Sequence, residues 1–195
     1  MKAKPFSKVI VIAGPSGVGK STVIRRMMEI CPNTFAFCVS HASREPRAGE
    51  IDGISYHFIT KEKFEELVSH DAFVEHACVH GNFYGTSKMA LEKVASEGKI
   101  SILDIDIQGC QQIKRQSDFI NPIFVRMKIS LEELKRRLVG RGTETEESMR
   151  IRLSNAEKEL SPMDDFFHLE VENITVDDTA EAILRCLKEK GILKE

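Results

Sequence analysis

Several features are absent from the sequence, and each absence excludes a class of protein. No apolar run approaches the roughly 20 residues that cross a bilayer, and no apolar core of a secretory signal precedes the first strand-like run. The 28 basic residues do not outnumber the 30 acidic ones, and a net charge of −2 disfavours non-specific nucleic-acid binding. Repeats, low-complexity segments and long linkers are also missing. We therefore expect a cytoplasmic globular protein with no membrane and no nucleic-acid partner.

The cysteines form no recognisable disulfide framework or metal cluster. There are five, an odd number, they are scattered, and no C-x-x-C motif occurs. We interpret them as reduced thiols that pack in the interior. His76, Cys78 and His80 alternate and would share one face of a strand, which could hold a metal. Such a site would need a fourth ligand and none is indicated, so ordinary packing or exposure is the preferred interpretation.

Strand-like and helix-like segments alternate along most of the chain. Strands are predicted at 7–14, 35–40, 54–59, 72–81, 82–86, 99–109, 122–129 and 166–173, and helices at 20–30, 61–70, 87–98, 131–140, 147–160 and 179–191. Helix caps are predicted at Thr60, at Ser130 with Glu133, and at Thr143 with Glu146. Because several strands are continuously apolar, the pattern predicts an α/β fold with a parallel sheet and helices on both faces.

One stretch departs from this alternation. Residues 40–87 are rich in hairpin signals, including a predicted tight turn at Gly81-Asn82. We interpret the chain, residues 1–195, as one domain with a core at 7–39, 88–130 and 160–190. The 40–87 stretch is an inserted lobe on this core, and 131–159 is a helical lid.

A phosphate-binding loop lies between the first predicted strand and the first helix. The pattern G-x-x-x-x-G-K-[ST] is matched by Gly14, Pro15, Ser16, Gly17, Val18, Gly19, Lys20 and Ser21, with Thr22 following. Glycines let backbone N–H groups turn toward phosphate oxygens, the helix start adds a positive dipole end, and Lys20 reaches the β- and γ-phosphates. A dinucleotide fold is disfavoured because Ser16 stands where its motif needs a glycine. The core is therefore predicted to be of the P-loop NTPase type.

Two aspartates end a continuously apolar segment. Asp104 and Asp106 are two residues apart, so we expect them on one face at the carboxyl end of a strand, where α/β sheets bind ligands. The carboxylate of Asp104 and the hydroxyl of Ser21 are the candidate ligands of Mg²⁺, which they would bind directly or through water. The alternative is that both aspartates cap a turn.

The residues that follow the second predicted strand indicate which kind of molecule receives a phosphoryl group. Arg44 and Arg47 with Tyr56 suit a phosphate monoester, although a solvated basic loop is the better interpretation of these residues taken alone. Glu75 lies on a predicted strand, and a fixed carboxylate can accept from both N1–H and the 2-amino group of guanine. Adenine presents an acceptor at N1 and would leave that carboxylate unpaired, so such a site discriminates strongly between the bases.

The order and spacing of four stretches resemble the guanylate kinases, which transfer a phosphoryl group from ATP to GMP. The stretches are GPSGVGKST, SREPRAGEIDGISYHF, EHACVHGNFYGTS with ILDIDIQG, and LKRRLVGRGTETEESMRIRL. The resemblance covers about residues 7–190 and is far more specific than the P-loop motif alone. It implies a Mg²⁺-dependent kinase with ATP and GMP as substrates, with dGMP as a further acceptor.

The resemblance also implies roles for individual positions. Guanine would be read by Ser40, Glu75, Thr86 and Asp106, and the GMP phosphate would be held by Arg44, Arg47, Tyr56 and Tyr84, with Glu50 supporting that loop. ATP would be held by residues 14–22, with Asn173 on the adenine side. Lid arginines over the transferring group would be Arg137, Arg141 and Arg152, so the catalytic set is these three with Lys20 and Arg44.

Two other functions remain open from the sequence. One is an inactive guanylate-kinase-like protein-interaction module, which typically lacks the P-loop lysine or the lid arginines that this chain has. The other is a nucleoside monophosphate kinase for another base. No general base is assigned, because the acceptor phosphate is already largely ionised. A monomer is expected, with a dimer as the alternative.

Overall fold

The structure, a computed structural model, describes residues 6–79, 81–116, 120–140, 146–161, 163 and 165–193. The strands are β1 (Phe6–Ala13), β2 (Phe35–Phe37), β3 (His41–Ala42), β4 (His57–Phe58), β5 (Phe73–Val79), β6 (Asn82–Ser87), β7 (Ile100–Asp104), β8 (Ile120–Lys128) and β9 (Leu169–Glu172). The helices are α1 (Lys20–Ile30), α2 (Lys61–Ser69), α3 (Lys88–Ser96), α4 (Ile107–Arg115), α5 (Leu131–Gly140), α6 (Glu146–Leu160) and α7 (Val176–Glu189).

The strands form two sheets. The first has the order β2-β7-β1-β8-β9, and β2 pairs with β7 and β8 with β9 in parallel. The second has the order β4-β3-β6-β5, in which β6 runs antiparallel to both β3 and β5. The parallel sheet with intervening helices confirms the predicted α/β class.

By backbone contacts, the described residues divide into two compact units. The first comprises the start of β1, Asn33–Leu103 and Gln108–Pro122, and it includes the whole four-stranded sheet. The second comprises Ile10–Pro32, Asp104–Ile107 and the residues from Ile123 onward. Within the second unit, α1 packs against α7 and α5 packs against α6. The boundaries predicted for a lobe at 40–87 and a lid at 131–159 stay predictions.

Apolar burial explains the position of these elements. Residues Val9–Ala13 of β1 are at most 1% exposed, as expected for a strand covered on both faces. In the first unit, Phe64 of α2 is fully buried, and its ring stacks on those of Phe73 and Phe83 at 4.5 and 5.3 Å between centroids. This aromatic stack fixes α2 on the β5–β6 hairpin.

Most predicted helix ends are confirmed. Helix α1 has the predicted bounds, and the side chain of Thr60 caps α2 by accepting from the N–H of Lys63. Ser130 accepts from the N–H of Glu133 at the start of α5. Thr143, the predicted cap of the next helix, lies outside the described residues. No described helix combines the length and the apolar character that crossing a membrane requires.

Three predictions of secondary structure were wrong. The strand predicted at 99–109 ends at Asp104, and residues from Ile107 onward form α4, which the sequence analysis did not predict. Asp106 therefore lies in the connection and not on the strand beside Asp104. The strand predicted at 54–59 is reduced to His57–Phe58. Asn82 is already in β6, paired with Val79, so it is not a turn residue.

Candidate active site

The phosphate-binding loop has the backbone that its glycines allow. Gly14 and Gly19 have φ of 141° and 105°, which side-chain-bearing residues rarely adopt. A Cβ on Gly14 would stand 2.4 Å from the carbonyl oxygen of Met127, and one on Gly19 would stand 2.6 Å from Nδ2 of Asn173. These two glycines are therefore required for close packing of the loop as well as for its turn.

Lys20, the first residue of α1, lies inside this loop. Its Nζ donates to the carbonyl oxygen of Gly14 at 2.5 Å and lies 3.5 Å from Oδ1 of Asp104. The Lys20 and Asp104 side chains are 14% and 26% exposed. The cation is thus held at the mouth of the loop by two oxygens, and a phosphate oxygen can replace either as its partner.

Arginine side chains from α5 and α6 contact the phosphate-binding loop. Nη1 of Arg152, on α6, donates to Oγ of Ser16 at 3.1 Å, so this predicted catalytic side chain lies at the loop. Arg137, on α5, donates to the carbonyl oxygens of Val18 at 3.0 Å and Asn173 at 2.9 Å. In this structure Arg137 therefore supports the loop backbone. Arg141, the third predicted lid arginine, lies outside the described residues.

Arg137 is itself fixed by a carboxylate. Its Nε donates to Oε1 of Glu133 at 2.8 Å, and Arg136 binds the same carboxylate through two nitrogens. The guanidinium groups of Arg136 and Arg137 lower the pKa of Glu133 to about 2. This carboxylate is thus ionised at any physiological pH and aligns Arg137 with the loop.

Asn173, the predicted adenine contact, is 4% exposed. Its Nδ2 donates to the carbonyl oxygen of Val18 at 2.6 Å, and its Oδ1 accepts from the hydroxyl of Thr179 at 2.9 Å. The side chain therefore connects the phosphate-binding loop to α7. The adenine contact stays a prediction.

Glu159, at the end of α6, is a carboxylate that the sequence analysis missed. Burial raises the pKa of Glu159. The negative charges of Asp106 and Asp104 raise this pKa further, whereas the positive charge of Lys20 lowers it. The charges of Lys20, Asp104 and Asp106 therefore act on Glu159 near the phosphate-binding loop. No motif marks Glu159, because its environment arises only when α6 folds onto the loop.

The residues predicted to hold a phosphate monoester come together in the first unit. Arg44 and Glu50 form a bidentate pair, with Nη1–Oε2 at 2.6 Å and Nη2–Oε1 at 2.7 Å. Glu50 also accepts from the backbone N–H of Arg47 at 2.8 Å. The guanidinium of Arg44 lies 5.1 Å from the ring centroid of Tyr56, whose ring contacts that of Tyr84 edge-on at 5.9 Å. All five predicted residues are thus neighbours.

The electrostatics of this cluster follow from the same pair. Hydrogen bonds from Arg44 lower the pKa of Glu50 to about 2. The Glu50 carboxylate, and then the Tyr84 hydroxyl, raise the pKa of Arg44 above its already high value. Nε of Arg44 is buried and has no hydrogen-bond partner among the described residues. A buried N–H in that state lacks the hydrogen bond that would offset its desolvation.

The predicted guanine readers of the first unit also lie together. Oγ of Ser40 and Oγ1 of Thr86 are 3.0 Å apart, and Thr86 pairs with Glu75 across the β5–β6 ladder. Glu75 is only 5% exposed and Thr86 is fully buried. Asp106, the remaining predicted reader, belongs to the second unit.

No cluster of three or more His, Cys, Asp or Glu side chains placed to hold a metal ion occurs in the described part of the chain. His80, one member of the disfavoured metal trio, lies outside it. Mg²⁺ differs from such cluster-bound metals, because proteins usually hold it by one or two carboxylates together with substrate phosphates and water. Asp104 and the hydroxyl of Ser21 are hard oxygen donors of that kind at the phosphate-binding loop, so the residues present fit Mg²⁺.

The known proteins that this chain resembles share one family. The family model for guanylate kinase matches residues 6–190. The chain is 46% identical over 160 residues to the guanylate kinase of Schizosaccharomyces pombe, covering 82% of this chain and 77% of that protein. The chain belongs to the guanylate kinase family.

Further relatives support the membership. Guanylate kinase 1 of Oryza sativa subsp. japonica is 48% identical over 185 residues, which cover 93% of this chain and 47% of that protein, so the chain spans about half of that relative. The crystal structure of the guanylate kinase from Anaplasma phagocytophilum aligns with a TM-score of 0.72 and 29% identity, covering 100% of this chain and 91% of that one. The fold of the family therefore extends over the whole described chain.

Proposed function

We propose that the chain transfers the γ-phosphoryl group of ATP to GMP and releases ADP and GDP. One observation carries the acceptor assignment: the buried Glu75 lies across the ladder from Thr86, whose hydroxyl is 3.0 Å from that of Ser40, in a unit that also contains the Arg44–Glu50 cluster. Membership of the guanylate kinase family supports the same reaction. No observation favours an inactive module or another base.

The donor site is assigned to the second unit. Backbone N–H groups of residues 14 and 16–22, together with the ammonium of Lys20, bind the phosphates of ATP. Ser21 and Asp104 would hold Mg²⁺, which when bound shields the charge on the β- and γ-phosphates. Arg152, already at Ser16, donates to the transferring group, and Arg137 keeps the loop in shape. We assign Arg141 to the same lid, residues 131–159, as the resemblance implies.

The acceptor site is assigned to the 40–87 lobe. Arg44, Arg47, Tyr56 and Tyr84 bind the phosphate of GMP, and Glu50 orients Arg44 for this purpose. Glu75 accepts from N1–H and the 2-amino group of guanine, while the hydroxyls of Ser40 and Thr86 supply further hydrogen bonds. That Asp106 also contacts guanine stays a prediction.

The reaction needs positioning and charge neutralisation. A phosphate oxygen of GMP forms a bond to the γ-phosphorus of ATP, and the bond from that phosphorus to the β–γ bridging oxygen breaks, leaving ADP. Since the attacking oxygen is already an anion, no proton has to be removed. Cationic side chains such as Lys20 and Arg152 stabilise charge spread over the transferring group, and contributions of this kind reach about 10³-fold or more in rate.

The substitution Glu75→Gln tests the assignment, because glutamine keeps the size but presents an amide N–H₂ where guanine also donates. We expect kcat/KM for GMP to fall by about 10²-fold or more, with the KM for ATP unchanged. Glu92→Gln, an exposed position on α3, is the matched control. Wild-type kinetics with GMP in the Glu75 variant would remove the guanine assignment.

A further inference from the structure

In the described part of the chain, the outer edge of β5 is bound by glutamine side chains and not by another strand. β5 is the last strand in the order β4-β3-β6-β5, so one of its two edges has no partner strand within its sheet. Gln112, on α4, accepts from the backbone N–H of His76 at 3.0 Å and donates to its carbonyl oxygen at 2.7 Å. Gln116, which directly follows α4, donates to the carbonyl oxygen of Val74 at 2.7 Å. All of these residues belong to the first unit.

The amide of Gln112 takes the place of a neighbouring peptide group. In an antiparallel sheet a residue on one strand exchanges both its N–H and its C=O with a partner residue. Gln112 makes both of these bonds to His76 with one side chain. A primary amide presents an N–H donor and a C=O acceptor at one end, so one side chain can make both bonds.

The two glutamines hold β5 on either side of Glu75. Val74 and His76 are its immediate neighbours, and both present backbone groups to the outer edge. On the other edge, Glu75 pairs with Thr86 after a break in register between Phe73 and Glu75. A break of this kind disrupts the ladder locally, and the bonds from Gln112 and Gln116 are made to the backbone beside it.

The inner side of the strand leaves little freedom at the same point. Gly85 pairs with His76, and a Cβ on it would stand 2.9 Å from the carbonyl oxygen of Glu75 and 3.0 Å from Cβ of His76. β5 and β6 are therefore in close contact at Gly85, which has no side chain, and Gln112 binds β5 from its outer edge. The position of the Glu75 backbone is set from both edges.

We propose that Gln112 and Gln116 are positioning residues for base selection, which hold β5 so that the carboxylate of Glu75 meets the N1–H and 2-amino donors of guanine together. The proposal rests on the function proposed above for Glu75. Recognition of two adjacent donors by one carboxylate requires a fixed position, and misplacement by about 1 Å can cost roughly 100-fold. Without the glutamines, Val74 and His76 would expose their backbone groups to water and β5 could shift.

The test compares Gln112→Met and Gln116→Met with Gln111→Met. Methionine has nearly the size of glutamine but cannot form these hydrogen bonds, and Gln111 is an exposed glutamine on the same helix. Each variant is assayed with ATP and either GMP or inosine monophosphate, which keeps N1–H but lacks the 2-amino group. Backbone amide exchange of His76 is measured on the same proteins.

We expect Gln112→Met to raise the KM for GMP by roughly 10- to 100-fold, with the KM for ATP unchanged, and to narrow the preference for GMP over inosine monophosphate. His76 should exchange faster in this variant and at the wild-type rate in Gln111→Met. Gln116→Met removes a single hydrogen bond, so it should show a smaller effect of the same kind, and it carries the test if Gln112→Met is too unstable to assay.

Two results overturn the proposal. One is a KM for GMP and a GMP preference equal to those of the wild type in both variants. The other is an equal loss toward GMP, inosine monophosphate and ATP, which would indicate a general structural role. The Glu75→Gln variant distinguishes failure of this proposal from failure of the proposed function. If Glu75→Gln loses activity with GMP while the Gln112 and Gln116 variants behave as wild type, only the positioning role is wrong.

Discussion

Arg44 and Glu50 form a bidentate ion pair with nitrogen–oxygen distances of 2.6 and 2.7 Å. Both terminal nitrogens of the arginine are thereby directed at a carboxylate that also accepts from the backbone of Arg47. The pair orients Arg44 before a substrate arrives. Preorganisation of this kind lowers the entropy lost on binding a phosphate.

The first prediction concerns this pair. Glu50→Gln removes the charge that aligns Arg44, so we expect the KM for GMP to rise roughly 10-fold or more while the KM for ATP stays unchanged. Glu45→Gln, an exposed glutamate in the same loop, is the control and should behave as wild type. The measurement is the KM for GMP and for ATP from steady-state kinetics of both variants. Equal KM values for GMP in the two variants would contradict the role of Glu50.

The second prediction is the pH dependence of stability. Since Arg44 lowers the pKa of Glu50 from 4.5 to about 2, ionised Glu50 stabilises the fold. That contribution is complete above 4.5 and is lost as the pH falls to about 2. Urea unfolding should therefore show Glu50→Gln less stable than wild type near neutral pH, with the difference shrinking across this acid range. A difference that is constant with pH would show that the carboxylate charge does not contribute.

The third prediction distinguishes two roles of Asn173. Both ends of its amide have partners within the protein, at Val18 and Thr179. We therefore expect Asn173→Ala to raise the KM for ATP and for GTP as donors by the same factor, with Asn121→Ala, an exposed position on β8, as the control. A loss confined to ATP would instead support the adenine contact that the resemblance implies.

The fourth prediction concerns Arg152. Its contact with Ser16 places a guanidinium at the phosphate-binding loop. We expect Arg152→Ala to lower kcat by about 10³-fold with little change in either KM, because the charge is needed mainly in the transition state. Arg150→Ala, an exposed arginine on the same helix, provides the comparison. Loss of substrate affinity without loss of kcat would make Arg152 a binding residue only.

Much of the fold could be predicted because its signals are local. The bounds of α1 and the cap at Thr60 follow from side-chain type and spacing within a few residues. The phosphate-binding loop is a contiguous motif, and it lies where the sequence places it. The cluster around Arg44 needed the resemblance in addition, because a basic loop by itself is usually solvated.

The missed features depend on contacts between distant segments. Helix α4 was overlooked because the apolar run before it continues through Ile105 and Ile107, although Cys110 and Ile113 are buried at helical spacing. With the helix, Gln112 was missed too, since its partner His76 is 36 residues away. Glu159 carries no motif, and its environment exists only in the folded second unit.

The most direct test of the central claim is the release of ADP from ATP and Mg²⁺ with each of GMP, dGMP, AMP, CMP, UMP and dTMP as acceptor. The account predicts strong turnover with GMP, weaker or equal turnover with dGMP, and none above background with the others. Turnover with another base would contradict the guanine assignment of Glu75. If no acceptor causes ADP release although GMP still binds, the kinase assignment itself is contradicted.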